Sequence, residues 1–295
     1  MRFPYYNPNL VFPIALRSLF VSKKRAYNTI SHYFKDITGK KYVLITNSCR
    51  TALYLAYKSI QISGEVITSP LTCKIAIDSI QESGNRPVFA DINIGDLNID
   101  AKDIEHRITK NTIAIQAIHH GGISCDMEMI NFIAKKFNLF IVEDCAQSLG
   151  AKYHESFCGF YGDVACFSLI KNVYGIGGGI LATNSLDIYN FSSELNNKLK
   201  KTPPHISLFR FIKNISSTYY INIFGVAINN LLFHIKGKRT RNKSILGQLY
   251  IISPLQLKVS ALQLGRINKL HHKRKILGMA YYQSLIDKKH SIFKQ

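Results

Sequence analysis

Residues 164–171 read Val-Ala-Cys-Phe-Ser-Leu-Ile-Lys, and residues 172–179 continue Asn-Val-Tyr-Gly-Ile-Gly-Gly-Gly. The apolar start predicts a buried strand over 164–167. Lys171 follows it between apolar residues, where an amine loses its charge readily and becomes a nucleophile. Ser168 could hold a phosphate while Lys171 reaches a carbonyl carbon. A solvated lysine is the ordinary alternative, and the glycine run alone is a weak signal.

Strand and helix patterns alternate around this stretch, from residue 42 to residue 184. Such alternation predicts an α/β fold, a mostly parallel seven-stranded sheet with helices on both faces. The predicted strands are Tyr42–Thr46, Glu65–Ser69, Pro87–Ala90, Ile113–Ile118, Leu139–Glu143, Val164–Phe167 and Gly179–Thr183. The predicted helices include Thr51–Ile60, Ile75–Glu82, Met127–Phe137 and a long basic helix over Pro254–Ile286, broken at most around Gly278.

Ligands of such sheets bind beyond the carboxyl ends of the strands, and two further loops there carry suitable residues. Residues 46–53 read Thr-Asn-Ser-Cys-Arg-Thr-Ala-Leu and lead straight into a helix, whose positive end suits a phosphate. An ordinary serine or asparagine N-cap is the alternative. Asp144 follows the predicted fifth strand at its carboxyl end, where a buried acid needs a positive partner such as a protonated heterocyclic nitrogen. A helix-capping role is the alternative for Asp144.

A phosphate turn, an aspartate and Ser-x-x-Lys, in this order on one sheet, are the layout of a pyridoxal phosphate enzyme. With these motifs the chain resembles the nucleotide-sugar aminotransferases of the DegT/DnrJ/StrS type, which have the fold of type I pyridoxal phosphate transferases. The matching stretches are residues 47–53, 87–92 with 97–100, 118–127, 143–147, 162–168 and 253–256 with 263–264 and Arg274.

The resemblance implies a role for each matching residue. Lys171 would carry the cofactor and move protons, and Asp144 would pair with the ring nitrogen. Gln147 would approach the ring hydroxyl, and His119 is a weaker candidate that could equally be a core histidine. The predicted cofactor-binding residues are Ser48, Cys49, Arg50, Asp144, Gln147, Ser168 and Lys171, of which Lys171 and Asp144 are the predicted catalytic residues. No metal site is predicted.

The chain also departs from the family pattern. Cys49-Arg50 stands where members commonly have Gly-Thr, and Cys73 stands where an aromatic residue usually stacks on the cofactor. Members also continue for roughly 70–100 further residues into a small domain. The predicted division is therefore an N-terminal arm and helix (1–40), a cofactor-binding large domain (41–200), a basic and apolar insertion (201–252) and the truncated, helical start of a small C-terminal domain (253–295).

The positive charge of the chain is concentrated in its last third. The formal net charge is +20, and residues 198–295 contribute +18 of it, with Asp287 as their single acid. This favours an anionic partner, such as a phosphorylated metabolite, an anionic membrane or nucleic acid. Nucleic acid is the weakest of these, because the basic residues lack an interleaved aromatic platform. We therefore predict no nucleic-acid partner.

Residues 214–235 carry no formal charge and have apolar residues at helical spacing. We expect an amphipathic helix that covers protein; a helix lying on an anionic membrane and a membrane span are the alternatives. The six cysteines lack metal-ligand spacing and stand mostly among apolar residues, which is typical of free thiols. The expected location is the cytoplasm, with contact at the inner face of the membrane as an option.

Together these features predict an aminotransferase that aminates a keto group of a nucleotide-linked sugar, for polysaccharide or lipopolysaccharide assembly. The resemblance implies pyridoxal 5'-phosphate as cofactor, glutamate as amino donor and a homodimer. A sugar dehydratase using the same cofactor is less favoured, because that reaction usually lacks the lysine. The alternative from another class is a truncated, non-catalytic relative that binds a membrane or a partner subunit.

Overall fold

The computed structural model describes residues 12–219, 244 and 246–292. Its helices are α1 (Phe12–Phe20), α2 (Lys23–Thr38), α3 (Cys49–Ser59), α4 (Lys74–Glu82), α5 (Ala101–Arg107), α6 (Met127–Phe137), α7 (Leu186–Lys198), α8 (Pro204–Tyr219), α9 (Pro254–Leu264) and α10 (Ile267–Ile292), with short 3-10 turns at His120–Gly122 and Leu246–Gln248. Its strands are β1 (Tyr42–Thr46), β2 (Glu65–Thr68), β3 (Arg86–Phe89), β4 (Thr112–Ile118), β5 (Phe140–Asp144), β6 (Lys152–Tyr153), β7 (Ser156–Phe157), β8 (Val164–Ser168), β9 (Gly179–Thr183), β10 (Lys200–Lys201) and β11 (Tyr250–Ile251).

Seven of these strands form one sheet in the order β1-β9-β8-β5-β4-β2-β3. Strand β9 runs antiparallel to both of its neighbours, and the other neighbouring pairs are parallel. All seven strands predicted from the sequence are present, and their ends differ from the prediction by at most one residue. The predicted fold class, a mostly parallel seven-stranded sheet in an α/β protein, is confirmed.

Helices cover both faces of the sheet because successive strand residues point to opposite sides. Val43 and Phe167 pack with residues of α2 and α9 on one face. Leu44 and Cys166 pack with residues of α3 on the other. Strands that are buried on both sides read as continuous apolar runs, which is why the sequence pattern located them well.

The long basic helix predicted for Pro254–Ile286 is in fact two helices, and its break lies at Gly265 rather than at Gly278. Gly265 caps the end of α9, and its N–H donates to the carbonyl of Ala261 at 3.3 Å. The chain turns here and begins α10 with Ile267, which is again buried against the core. Gly278 lies inside α10, where helical hydrogen bonding continues through it.

The uncharged segment 214–235 lies mostly outside the described residues. Its first six residues, 214–219, form the end of α8, and residues 220–235 are not among those described. Across the described part of the chain, no helix combines the length and the apolar character needed to cross a bilayer. The expectation for 214–235 therefore stays a prediction.

The glycine run between β8 and β9 serves close packing against the turn that precedes α3. Gly178 has a positive φ of +113°, and its N–H donates to the carbonyl of Asn47 at 2.6 Å. A Cβ atom on Gly179 would overlap the backbone of Ser48 and Cys49. Only glycine therefore lets the start of β9 approach this turn.

We expect Gly179→Ala to lower the free energy of unfolding by about 3 kcal/mol or more, because the overlap involves backbone that must shift. Gly278→Ala is the matched control, since a Cβ there meets nothing within 4 Å and alanine favours a helix. Urea denaturation of both variants provides the measurement. Equal midpoints for the two variants would refute the packing role of Gly179.

Candidate active site

A cavity of about 810 Å³ lies at the carboxyl ends of β1, β5 and β8. All seven residues predicted to bind a cofactor contribute to its wall: Ser48, Cys49, Arg50, Asp144, Gln147, Ser168 and Lys171. The fold thus brings together side chains that are up to 123 positions apart, between Ser48 and Lys171. Their individual roles stay predictions.

The turn before α3 forms one side of the cavity. Ser48 is the N-cap of α3, and its hydroxyl accepts a hydrogen bond from the N–H of Thr51 at 3.2 Å. The hydroxyl of Ser48 therefore acts as an ordinary N-cap, which was the alternative interpretation of this turn. The first-turn N–H groups at Cys49 and Arg50 are not needed by the helix, so the positive end of α3 can still receive an anion.

Asp144 forms an adjoining part of the wall, at the end of β5. Its Oδ1 accepts the N–H of Ala146 at 3.0 Å and lies 4.0 Å from the Cys49 sulfur. Burial raises the pKa of Asp144, and the Ala146 N–H and the positive charge of Lys171 oppose this rise only in part. A buried acid of this kind is stabilised as a carboxylate when a cationic nitrogen approaches it. The hydrogen bond that Asp144 accepts from the turn at Ala146 is thus compatible with a ligand-binding role for the same carboxylate.

Lys171 lies in the loop after β8 and is exposed, although its apolar neighbours had suggested an enclosed amine. Leu169 and Val173 are instead buried in the core on either side of it. Arg274 of α10 fixes this loop by donating to the carbonyl of Asn172 at 3.1 Å. Lys171 therefore reaches the cavity from a loop that the buried side chains of Leu169 and Val173 anchor in the core.

Ser168 and Gln147 complete the predicted set. Ser168 is buried at the last position of β8, and its hydroxyl accepts the N–H of Ile170 at 3.4 Å. Gln147 is exposed and follows Asp144 by three residues. Both line the cavity, so each can contact a ligand bound there.

His119 is fully buried and also lines the cavity, so the core and active-site interpretations of the sequence do not exclude each other. Its Nδ1 accepts the N–H of Cys125 at 3.1 Å, so the proton lies on Nε2, which donates to Glu143 at 3.0 Å. Burial alone would raise the pKa of Glu143, but hydrogen bonds from His119 and from the N–H groups of Gly162 and Gly159 hold it below its usual range. Both ring nitrogens of His119 are therefore engaged in hydrogen bonds within the core, and a role toward a ligand stays a prediction.

His119, Glu143 and Cys145 also place one potential metal ligand atom each within 4.8 Å of one another. The Glu143 carboxylate, however, already accepts three hydrogen bonds. Burial raises the pKa of the Cys145 thiol well above its usual value, which disfavours the thiolate that a metal needs. We therefore interpret this buried cluster as structural.

We expect Glu143→Gln to lower the free energy of unfolding at neutral pH by about 2–4 kcal/mol, because the new amide directs a donor at groups that donate. Since the pKa of Glu143 is depressed in the folded state, its contribution is present above the usual carboxyl pKa and is lost as the pH falls through the folded value. The difference in stability between wild type and variant should thus shrink only as the pH falls below the usual carboxyl range.

Denaturation measured from pH 3 to pH 8 checks the role of Glu143. Glu194→Gln is the control, because that carboxylate is exposed and its pair with Lys198 lies on the surface, where it should hardly affect stability. A Glu143→Gln effect that is the same at every pH would contradict the role given to its charge.

The cavity wall also holds residues that the sequence interpretation did not assign. Lys74, Asp78 and Arg210 are such residues. With Arg50 and Lys171 they give the wall four cationic side chains against two acids, Asp78 and Asp144, among the described residues. Lys74 and Asp78 form an ion pair at 2.5 Å with i,i+4 spacing, a signal that the sequence offered. Gln248 and Tyr250 reach the cavity from a distant segment, for which no sequence signal exists.

Comparison with known proteins agrees with this architecture. The spore coat polysaccharide biosynthesis protein SpsC of Bacillus subtilis is 37% identical over 177 residues, which cover 59% of this chain and 46% of the relative. GDP-perosamine synthase of Escherichia coli O157:H7 is 33% identical over 198 residues, covering 63% of this chain and 54% of the relative. The chain thus spans about half the length of the curated relatives it matches.

Solved structures share the fold at lower identity. The structure of Helicobacter pylori PseC, an aminotransferase involved in the biosynthesis of pseudoaminic acid, superposes with a TM-score of 0.69 at 22% identity, covering 96% of this chain and 70% of that one. The profile of the DegT/DnrJ/EryC1/StrS aminotransferase family matches residues 14–210, which include β1 to β9 and every predicted site residue. The chain therefore belongs to the DegT/DnrJ/EryC1/StrS aminotransferase family.

Proposed function

We propose that this protein is a pyridoxal phosphate-dependent aminotransferase that aminates a keto group of a nucleotide-linked sugar, with glutamate as donor, in polysaccharide or lipopolysaccharide biosynthesis. The observation that carries the proposal is that the turn before α3, Asp144 and Lys171 share one cavity. Relatives named as GDP-perosamine synthase and as a dTDP-sugar transaminase support the substrate class.

The residues present fit the cofactor. The N-terminus of α3 with Ser168 suits its phosphate, and the Nε of Arg50 is buried with no hydrogen-bond partner among the described residues, which leaves a donor for that group. The buried Asp144 carboxyl suits its ring nitrogen. When bound, pyridoxal phosphate supplies the electron sink that stabilises a carbanion. Lys171 would hold the cofactor in place and transfer protons during the reaction.

The charge of the cavity supports a phosphorylated substrate. Within the described ranges, four cationic and two acidic side chains line the wall. A cleft with this positive excess raises the local concentration of anions such as a sugar nucleotide and glutamate. The same excess disfavours a neutral sugar as the preferred substrate.

Assembly and location are further parts of the proposal. We expect a homodimer, because Leu208 and Ile212 of α8 and Leu19 and Phe20 of α1 are exposed apolar side chains. Alternatively, these exposed apolar side chains contact an anionic membrane peripherally. All six cysteines are free, which supports a reducing, cytoplasmic environment.

The named alternative, a non-catalytic subunit, is less well supported. A scaffold has no need for a lysine, a buried aspartate and an open helix N-terminus around one cavity. Three of the matched relatives are named as enzymes or as a biosynthetic protein, which favours catalysis.

The test is the half-reaction with glutamate. The protein is loaded with pyridoxal phosphate, and the absorbance spectrum and the release of 2-oxoglutarate are followed after glutamate is added. We expect a spectral change with about one 2-oxoglutarate per chain, and none with lysine as a control amine. Binding of cofactor without any 2-oxoglutarate would favour the non-catalytic alternative. Light scattering with and without anionic vesicles, at low and high salt, separates a dimer from a lipid contact.

A further inference from the structure

Arg50 and Gln248 meet at the wall of the cavity, although 198 positions separate them. Nη1 of Arg50, on the first turn of α3, donates a hydrogen bond to Oε1 of Gln248. Gln248 belongs to the 3-10 turn Leu246–Gln248. The contact therefore joins the predicted phosphate turn to a segment that no sequence motif marked.

The segment that carries Gln248 is fixed on both sides. Before it, the N–H of Leu246 and the hydroxyl of Ser244 donate to Glu82 of α4 at 2.9 and 2.8 Å. After it, β11 pairs with β10, and Thr202 donates to the carbonyl of Ile251 at 2.5 Å. The amide of Gln248 is thus held at a defined place beside α3.

The charge of Arg50 is only weakly compensated within the described part of the chain. Burial lowers the pKa of its guanidinium, with Asp78 as the first opposing charge. Asp78, however, already pairs with Lys74, and Glu82 accepts the hydrogen bonds from Leu246 and Ser244. The buried Nε of Arg50 has no hydrogen-bond partner there. An anion in the cavity would satisfy this cation directly.

We propose that Gln248 is a positioning residue that orients the Arg50 guanidinium toward a phosphate group bound at the N-terminus of α3. A neutral amide suits this task, because it fixes the guanidinium through one nitrogen and leaves its charge and its other N–H groups for the anion. A carboxylate at position 248 would neutralise the cation instead. The inference rests on the proposed function, since it presupposes a phosphate-binding turn at Ser48 to Thr51.

The first measurement is calorimetric binding of inorganic phosphate to the full chain without cofactor. We expect Arg50→Thr to weaken binding by about tenfold or more and Gln248→Ala by about fivefold. The double variant should bind no more weakly than Arg50→Thr alone, because Gln248 acts through Arg50. Gln248→Glu should also weaken binding. Gln81→Ala, an exposed glutamine on α4, is the control and should change neither binding nor melting.

A second set of titrations identifies the source of the phosphate. If both variants lose preference for pyridoxal phosphate over pyridoxal, the group is the phosphate of the cofactor. If that preference is kept and uridine diphosphate binds more weakly, it is a phosphate of the substrate. A merely structural role would weaken pyridoxal phosphate and pyridoxal alike, and that result would overturn the proposal.

Two outcomes separate this inference from the function beneath it. If Gln248→Ala binds phosphate as tightly as the wild type, the role of Gln248 is overturned and the proposed function is not. The same follows if the losses of phosphate affinity in the two single variants add in the double variant. A folded wild-type protein that binds no phosphate would instead overturn the phosphate turn, and with it the proposed function.

Discussion

Replacing Lys171 by alanine is expected to abolish amino transfer, with a loss of about 10³-fold or more in turnover. Lys171 reaches the cavity from the loop after β8, whereas Lys74, the other described lysine in the wall, is paired with Asp78. We therefore expect the variant to lack the amine that holds the cofactor and moves the proton. The fold should be intact, because the side chain is exposed while its neighbours Leu169 and Val173 are buried. Release of 2-oxoglutarate from glutamate is the measurement.

Lys198→Ala is the matched control for Lys171→Ala. Lys198 is also exposed, at the end of α7, and it pairs on the surface with Glu194. Its replacement should leave turnover and melting temperature unchanged. Turnover by the Lys171→Ala variant within tenfold of the wild type would show that another group performs this role.

Asp144→Asn is expected to lower the rate of the glutamate half-reaction by about 10²-fold or more, with a smaller loss of cofactor affinity. Asparagine keeps the shape and the hydrogen bond from the Ala146 N–H. It lacks the negative charge that keeps a ring nitrogen protonated, so the electron sink weakens. Stopped-flow spectroscopy with glutamate measures the effect.

Asp187→Asn serves as the control for Asp144→Asn, since Asp187 is exposed in the first turn of α7. A half-reaction that runs at the wild-type rate in Asp144→Asn would exclude a charge role for Asp144. A large loss that also appears in the control would point to instability of the preparation instead.

Much of the site could be predicted because its residues directly follow strands that short apolar runs mark in the sequence. Apolar runs located the strands, and the parallel arrangement then placed Ser48, Asp144 and Lys171 at one edge of the sheet. The structure shows all three around one cavity. The sequence did not reveal that Lys171 is exposed, because its apolar neighbours turn into the core while the lysine turns away from it.

The remainder depends on contacts between residues far apart in sequence. Gln248 meets Arg50 across 198 positions, and no spacing rule marks such a pair. Glu143 reads like a second active-site acid beside Asp144, yet hydrogen bonds from His119, Gly159 and Gly162 satisfy it inside the core. The break at Gly265 likewise follows from burial of Ile267, which the helical pattern alone did not show.

The central claim is that Lys171 carries pyridoxal phosphate in this cavity, and chemical trapping tests it most directly. The protein is incubated with pyridoxal phosphate, reduced with borohydride, digested and examined by mass spectrometry. We predict one phosphopyridoxyl group per chain, on the peptide that contains Lys171, and none in the Lys171→Ala variant. Label on another lysine in the wild type, or a chain that carries none, would contradict the account.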